Sequence, residues 1–348
     1  MTDHILSGTP ESWTRLPVQT LFSLSKPELD SLQLHWAQTR FQQLQEHIPA
    51  LDALAEKQGV KIIADFETLA TILFTHQVYK NYPFAFIERK LFTELTRWLN
   101  KLTAHDLSTL DMRGVNTIDE WLTRLDEAGM FVFHSTGTSG KLSFFPRSQT
   151  EKEAWVEGTY TFLEAFMPGI RNLHLPVFWP AYRSGRQASM RLITHFGPAL
   201  AGSEAEYHSL FNAPMSADFM SLAMRMKHAQ EHGDLTAMDT IKAIFKTKGE
   251  IVTLKARKAG LTKNFFDKMV REYRGRRVFL MASARDLLDV AVEGLAAGQE
   301  RVFASNSVLL TGGGFKGRQT ISDWKDILKK FYGVDQVFMS YGMTELNT

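Results

Sequence analysis

A short polar stretch near the middle of the chain has the composition of a phosphate-binding loop. Its residues, Ser135–Lys141, comprise two glycines, four hydroxyl side chains and one lysine. Glycines let backbone N–H groups turn toward an anion, hydroxyls add hydrogen-bond donors, and lysine adds a positive charge. Gly137 and Gly140 are too close together for a Walker A motif. Taken alone, the stretch is equally consistent with a polar hairpin turn.

Two further motifs follow this loop at or beside the predicted ends of strands. The first reads Thr311-Gly312-Gly313-Gly314-Phe315-Lys316-Gly317, and the second reads Ser340-Tyr341-Gly342-Met343-Thr344-Glu345. Parallel sheets covered by helices bind their ligands at the carboxyl ends of the strands. The three motifs are therefore candidates for one common site.

The elements that must position these motifs alternate between strands and helices. Apolar, β-branched and aromatic runs predict strands over 130–135, 142–148, 175–179, 276–283, 307–313 and 336–342. Helical patterns lie over 149–167, 284–298 and 321–333. This alternation predicts an α/β fold with a substantially parallel sheet. Residues 116–348 would form the α/β nucleotide-binding body. Together with residues 1–115 they would make up one continuous large domain.

Residues 1–115 are predicted to form a helix-rich N-terminal region. Ser25-Lys26-Pro27-Glu28 is a capping box with proline in the first turn of the helix. A second helix is expected from about 85 to 99. Thr117-Ile118-Asp119-Glu120 is another capping box, and Gly129 suits the end of the helix that it begins.

The composition excludes several classes of protein. The chain has 348 residues and no cysteine, which excludes disulfides, thiolate metal sites and a cysteine nucleophile. Its 40 basic and 38 acidic side chains give a net charge of +2, so we expect neither nucleic acid nor membrane as a partner. We see no signal peptide and no apolar run near the roughly 20 residues of a membrane span. A cytoplasmic protein is expected.

The order of the three motifs carries a family resemblance. A serine-, threonine- and glycine-rich loop ending in lysine, a later strand ending in glycines, and then Y-G-x-T-E resemble the adenylate-forming superfamily of acyl-CoA synthetases, luciferases and adenylation domains. The chain looks closest to the phenylacetate-CoA ligases and the luminescence acyl-protein synthetases. Thr194-His195-Phe196-Gly197 resembles the H-[YF]-G stretch of the ligases. The adenylating proteins of phenazine-antibiotic (griseoluteate-type) biosynthesis are also similar.

The resemblance, which covers about residues 130–346, implies a role for each motif residue. The ATP phosphates would be bound by Ser135, Thr136, Gly137, Thr138, Ser139, Gly140 and Lys141. The adenine site would consist of Gly312, Gly313, Gly314, Phe315, Tyr341, Gly342 and Met343, with Tyr341 stacked on the base. The catalytic set would be Thr344 on the α-phosphate, Glu345 on magnesium, and Lys141. The acyl pocket would consist of Trp179, Arg183, His195, Phe196 and Gly197.

The implied reaction is the activation of a carboxylic acid by ATP. The carboxylate attacks the α-phosphorus and expels pyrophosphate, which is mostly a matter of positioning and charge neutralisation. ATP and Mg²⁺ are therefore expected ligands, and CoA, a protein thiol or a reductase is the expected acceptor. The aromatic content favours an aromatic or long apolar acid. A homodimer is left open.

Family members usually continue past Y-G-x-T-E into a small lid domain that supplies a lysine for adenylation. The sequence ends at Thr348, so we expect the large body, with mixed sheets covered by helices, and no lid. The alternative is a non-catalytic nucleotide- or acid-binding subunit derived from such an enzyme.

Two weaker patterns are interpreted as solvated surface. His228-Ala229-Gln230-Glu231-His232 matches a metalloprotease pattern, but Gly233 indicates a helix end there, and we expect no zinc site. The basic cluster Arg271, Arg274, Arg276 and Arg277 is expected to face solvent, with CoA phosphates as an alternative partner.

Overall fold

The structure is a computed structural model that describes residues 8–136, 140–247, 251–312, 315, 321–340 and 342. The side chains at 136, 242–247 and 251–259 are not part of that description. All statements below concern the described residues.

A parallel sheet of five strands forms the centre of the α/β body. The strands are β3 (Val177–Ser184), β4 (Tyr207–Pro214), β5 (Phe279–Ser283), β6 (Val308–Gly312) and β7 (Val337–Met339). Their order is β4-β3-β5-β6-β7, and every neighbouring pair is parallel. The strand order reverses between β3 and β5, as in doubly wound sheets of order 2-1-3-4-5. The predicted α/β class and parallel sheet are confirmed.

A separate antiparallel hairpin carries the glycine loop. Its strands are β1 (Phe131–Thr136) and β2 (Leu142–Arg147). Phe133 pairs with Phe145 on one face, and both pack with Trp155. Val132 and Phe144 belong to a buried cluster on the other face, because successive strand residues point to opposite sides. The strands of the hairpin are therefore packed on both faces.

The helices before the hairpin range in length from 4 to 19 residues. They are α1 (Pro10–Trp13), α2 (Val18–Phe22), α3 (Lys26–Leu44), α4 (Pro49–Gln58), α5 (Phe66–Thr71), α6 (Ala85–Glu88), α7 (Phe92–Asn100) and α8 (Ile118–Glu127). Those of the body are α9 (Gln149–Glu164), α10 (Ala188–Ala201), α11 (Ala217–His232), α12 (Leu235–Thr247), α13 (Ile251–Glu272), α14 (Ala284–Ala296) and α15 (Trp324–Tyr332). Short 3₁₀ turns lie at Gln45–His47, Val78–Lys80, Ile170–Asn172 and Glu204–Glu206.

Helices cover both faces of the sheet. Phe178, Leu280 and Leu309 pack against buried residues of α13, α14 and α15. The adjacent residues Val177 and Leu310 join the opposite cluster, with buried residues of α9 and α10. This alternation of neighbouring positions is what a strand buried on both faces requires.

One buried cluster crosses the predicted boundary between residues 115 and 116. Tyr82 and Leu95 precede that boundary, whereas Trp121, Phe144 and Ala217 follow it, and all five belong to the same cluster. The N-terminal helices thus share a core with the hairpin and with α11.

Local signals predicted some element boundaries and missed others. The capping box at Ser25 is confirmed, with both of its reciprocal hydrogen bonds formed. Thr117 caps α8, but the Glu120 carboxylate accepts from the Asn116 N–H at 2.7 Å instead of from Thr117. The prediction of a single helix over 85–99 is wrong. The segment is divided into α6 and α7, because Lys90 has a φ of 56°, which a right-handed α-helix does not accommodate.

Candidate functional site

A cavity of about 950 Å³ lies between the hairpin, α9 and the carboxyl half of the sheet. Its floor is formed by β5, β6 and the residues after β7, and its wall by α9 and the start of α10. Helices α1 and α2, with Thr14 between them, line a further side of it, called the roof below, through Pro10, Trp13, Val18 and Leu21. The lining residues are Pro10, Trp13, Thr14, Val18, Leu21, His134, Ser135, Trp155, Gly158, Thr159, Thr161, Phe162, Leu163, Gln187, Ala188, Ser189, Leu192, Met281, Leu310, Met339, Ser340 and Gly342.

The cavity brings together residues from separate motifs. Ser135 comes from the glycine loop, and Ser340 and Gly342 come from the last motif. The Ser340 N–H donates to the Thr311 carbonyl at 2.8 Å. A Cβ at Gly312 would lie 3.3 Å from Ser340 Oγ, so the glycine permits this close approach. The ends of β6 and β7 are therefore tied together beside the cavity.

The described residues that line the cavity include no aspartate, glutamate, lysine or arginine. The ionisable group among them is His134, whose pKa burial lowers to about 4, so that the imidazole is neutral at pH 7. Apolar and aromatic side chains dominate the rest, together with a few hydroxyls and one amide. Such a wall suits an uncharged, largely apolar molecule, because burying an unpaired charge there would be costly.

The far end of the glycine loop is anchored away from the cavity. Lys141 Nζ donates to the Tyr82 carbonyl at 2.9 Å and lies 5.4 Å from the centroid of its ring. The buried Tyr82 hydroxyl donates to the Leu142 carbonyl at 3.0 Å. Gly140 has a φ of 73°, and a Cβ there would lie 3.2 Å from His228. A role for Lys141 at phosphates would rest on the other two N–H donors of its ammonium, because one is bonded to the Tyr82 carbonyl.

The residues expected in the acyl pocket do not line the cavity. The buried Trp179 Nε1 donates to the Tyr182 carbonyl at 2.8 Å. Arg183 is paired with Glu204 and lies 4.3 Å from the Tyr207 ring centroid. Trp179 and Arg183 both lie on β3, and Arg183 contacts Tyr207 of the edge strand β4.

The expected H-[YF]-G stretch lies on α10. Phe196 is buried, and its ring centroid is 4.2 Å from that of Tyr160. A Cβ at Gly197 would lie only 2.5 Å from the Tyr207 ring, so the glycine allows helix α10 to pack against β4. His195 lines a separate small niche. Close packing thus accounts for the phenylalanine and the glycine.

Several expected ATP-site residues fall outside the described part of the chain. They are Gly137, Thr138, Ser139, Gly313, Gly314, Tyr341, Met343, Thr344 and Glu345, together with the side chain of Thr136. Phe315, which was expected at the base, makes an edge contact with Trp324 at 5.3 Å on the opposite face of the sheet.

The sequence analysis missed the roof and the wall of the cavity. The roof residues Trp13, Val18 and Leu21 lie far from every motif in sequence. The wall had a usable signal, because Trp155, Thr159 and Phe162 recur at helical spacing and share one face of α9.

The two weaker patterns have structural explanations. The His228 and His232 rings stack at 4.1 Å, and α11 ends at Gly233 as expected. Among the described residues, no group of three or more His, Asp or Glu side chains is arranged to hold a metal ion. Each residue of the basic cluster is bound to protein, through Glu272, Glu206 or the carbonyls of Glu300 and Asn306.

Comparison with known proteins gives no assignment. No family model matches the chain, and no curated protein matches it. Among the described residues, no helix is both long and apolar enough to cross a membrane.

Proposed function

We propose that this protein activates a carboxylic acid with ATP, forming an acyl-adenylate and pyrophosphate. The observation that carries the proposal is the meeting of Ser135, Ser340 and Gly342, from two separate motifs, at one large apolar cavity. The third motif adjoins them through Gly312, which packs against Ser340. Cavities at the carboxyl ends of parallel strands are the usual ligand sites of such sheets.

The uncharged wall determines the orientation of the acid. Its apolar body occupies the cavity, and its carboxylate lies beside Ser135, whose hydroxyl can donate a hydrogen bond to it. A carboxylate oxygen then bonds to the α-phosphorus of ATP while the bond to the departing pyrophosphate breaks. No general base is needed, because the carboxylate is already ionised at pH 7.

The described residues that line the cavity fit phosphate better than they fit magnesium. The Ser135 hydroxyl suits a phosphate oxygen, whereas the Ser340 hydroxyl donates to the Thr311 carbonyl at 3.3 Å and would have to turn away from it. The described lining includes no carboxylate. We assign magnesium binding to Glu345 and α-phosphate binding to Thr344, both from the family resemblance. When bound, magnesium would neutralise the phosphate charge. The acyl acceptor would be CoA, a protein thiol or a reductase.

An alternative is a non-catalytic subunit that binds an apolar acid. The observation that favours it is the position of Lys141, the cation expected at the phosphates, which donates to the Tyr82 carbonyl and does not line the cavity. Only the first of these two functions consumes ATP.

A panel of acids that differ in chain length and ring number tests the proposal through pyrophosphate release, with the adenylate identified by mass spectrometry. Thr159→Phe should fill the cavity and lower turnover of the best acid at least about tenfold. Thr240→Phe is the matched control. Both threonines are helical and donate to the carbonyl four residues earlier at 2.9 Å, but Thr240 lies on the exposed side of α12.

Binding of the acid without pyrophosphate release, at any ATP concentration, would favour the non-catalytic alternative. Equal turnover by the two phenylalanine variants would contradict the placement of the acid in the cavity.

A further inference from the structure

A much smaller niche is also lined by Trp155 of the large cavity. Its volume is about 60 Å³, comparable with a single small ion and far below that of a cofactor site. It is bordered by Phe133, Lys152, Trp155, Gly185, Arg191, Thr194 and His195. Trp155 thus contributes to both spaces, but the basic residues border only the niche.

Basic side chains converge on this niche from two helices. Lys152 comes from α9, and Arg191 and His195 come from α10. Lys152 Nζ lies 3.9 Å from the centroid of the Phe131 ring. No carboxylate of the described residues lies within ion-pair distance of Lys152. Its ammonium therefore has an aromatic face where a counter-ion would be expected.

The nearby acidic charge does not balance these groups. Asp126 is the carboxylate partner of Arg191, at 2.7 Å, and it also pairs with Arg186 at 3.0 Å. One carboxylate thus serves two guanidinium groups. The Nε of Arg191 is buried and has no hydrogen-bond partner among the described residues.

The titration of the cluster reflects the surplus of positive charge. Partial burial lowers the pKa of Lys152, and the neighbouring Arg191 lowers it further, against the smaller opposing effects of Asp126 and Glu153. Partial burial likewise lowers the pKa of His195, with additional contributions from Lys152 and Arg191. A bound anion would oppose these contributions, because a nearby negative charge raises the pKa of a cationic group.

We propose that this niche binds a small oxyanion of the phosphate type, held by Lys152, His195 and the Arg191 guanidinium. The inference is independent of the proposed function, because it rests on a separate cavity. The phosphate can be a free ion or the terminal group of a larger molecule. A lysine and a histidine that lack acidic partners, beside a guanidinium with a free N–H, provide the charge and the donors that such an ion requires.

The test is titration of the purified protein with inorganic phosphate, pyrophosphate and adenosine monophosphate, followed by Trp155 fluorescence and by the NMR pKa of His195. Saturable binding should raise the pKa of His195. Lys152→Gln should weaken binding at least about fivefold, and His195→Gln should weaken it as well. Lys325→Gln is the matched control, because Lys325 also lies over an aromatic ring, that of Trp324, on a distant helix.

The three anions distinguish the source of the phosphate. Tightest binding of phosphate or pyrophosphate indicates a free ion, and tightest binding of adenosine monophosphate indicates a group on a larger molecule. Trp155→Phe assigns the fluorescence signal. An unchanged pKa of His195, or equal binding by the Lys152→Gln and Lys325→Gln variants, would overturn the proposal.

Discussion

Asp119 lies on α8 and accepts a hydrogen bond from the start of α11, and Asp218 lies on α11 and accepts hydrogen bonds from the start of α8. Asp119 accepts from the N–H of Ala217 at 2.9 Å, and Asp218 accepts from the N–H groups of Ile118 and Asp119 at 3.0 and 2.9 Å. The pair thereby joins α8 to α11. Since His228 of α11 packs against Gly140, this junction also fixes one support of the glycine loop.

Substituting Asp218 should destabilise the fold more than substituting an exposed cap. Burial raises the pKa of Asp218, and its two hydrogen bonds are partly buried. Asp218→Asn keeps one good acceptor, so the free energy of unfolding should fall by about 1–2 kcal/mol. The control is Asp65→Asn at the exposed start of α5, where aspartate and asparagine cap about equally well. Denaturant titration that gave equal losses would show that the junction adds nothing.

The buried imidazole of His134 should make stability depend on pH. Its pKa is about 4 in the folded chain, compared with an ordinary value of 6.5. The unfolded chain therefore binds the proton more tightly between these values. Stability is fully present above pH 6.5 and is lost as the pH falls toward 4, by about 3 kcal/mol at most.

Denaturant titrations of the His134→Leu variant at a series of pH values check this account. The variant should lose the part of the pH dependence that lies between 6.5 and 4, whereas His105→Leu, at an exposed position, should retain it. Parallel pH profiles for His134→Leu and the wild type would mean that another group is responsible.

Two helical glycines should respond in opposite directions to alanine. A Cβ at Gly197 would meet the Tyr207 ring at 2.5 Å, and Gly197→Ala should lower the free energy of unfolding by about 1–3 kcal/mol. A Cβ at Gly260 would meet nothing within 4 Å, and Gly260→Ala should raise stability by about 0.5–1 kcal/mol. The range of acids accepted should stay the same in Gly197→Ala. A changed acid preference would restore Gly197 to the acyl pocket.

The roof of the cavity should open more readily when one aromatic contact is removed. Neither α1 nor α2 has a buried residue, and Trp13 packs edge-on against Trp36 with centroids 6.2 Å apart. Trp13→Ala should therefore accelerate amide hydrogen exchange over residues 10–22. Phe22→Ala is the control, since Phe22 is 83% exposed. Exchange that was equally fast in the wild type would mean that the roof is already open.

The features that the sequence predicted were those encoded within a few neighbouring residues. The capping box at Ser25 and the end of α11 at Gly233 need only local chemistry, and both were found. Strand β4 was missed, because Tyr207–Pro214 mixes polar and apolar residues and is fixed by its pairing with distant β3. The positive φ of Lys90 likewise has no local signal.

The candidate site was likewise predicted from the sequence only where local patterns sufficed. Placing Ser135 and Ser340 at strand ends required only the alternation of strands and helices, and the structure brings both to one cavity. The roof from α1 and the wall from α9 depend on tertiary packing. The stretch His195–Gly197 was interpreted as a ligand pocket, but two of its residues have packing partners that no local pattern reveals.

The central claim is that a carboxylate attacks the α-phosphorus of ATP at this cavity. Incubation with ATP, magnesium and an accepted acid labelled with ¹⁸O in its carboxyl group tests it in one measurement. The attack transfers one labelled oxygen to phosphorus, and hydrolysis of the adenylate at its carbonyl carbon leaves that oxygen on AMP. We predict ¹⁸O-labelled AMP by mass spectrometry, reduced at least about tenfold in Thr159→Phe. Unlabelled AMP, or ADP and phosphate as the products, would contradict the account.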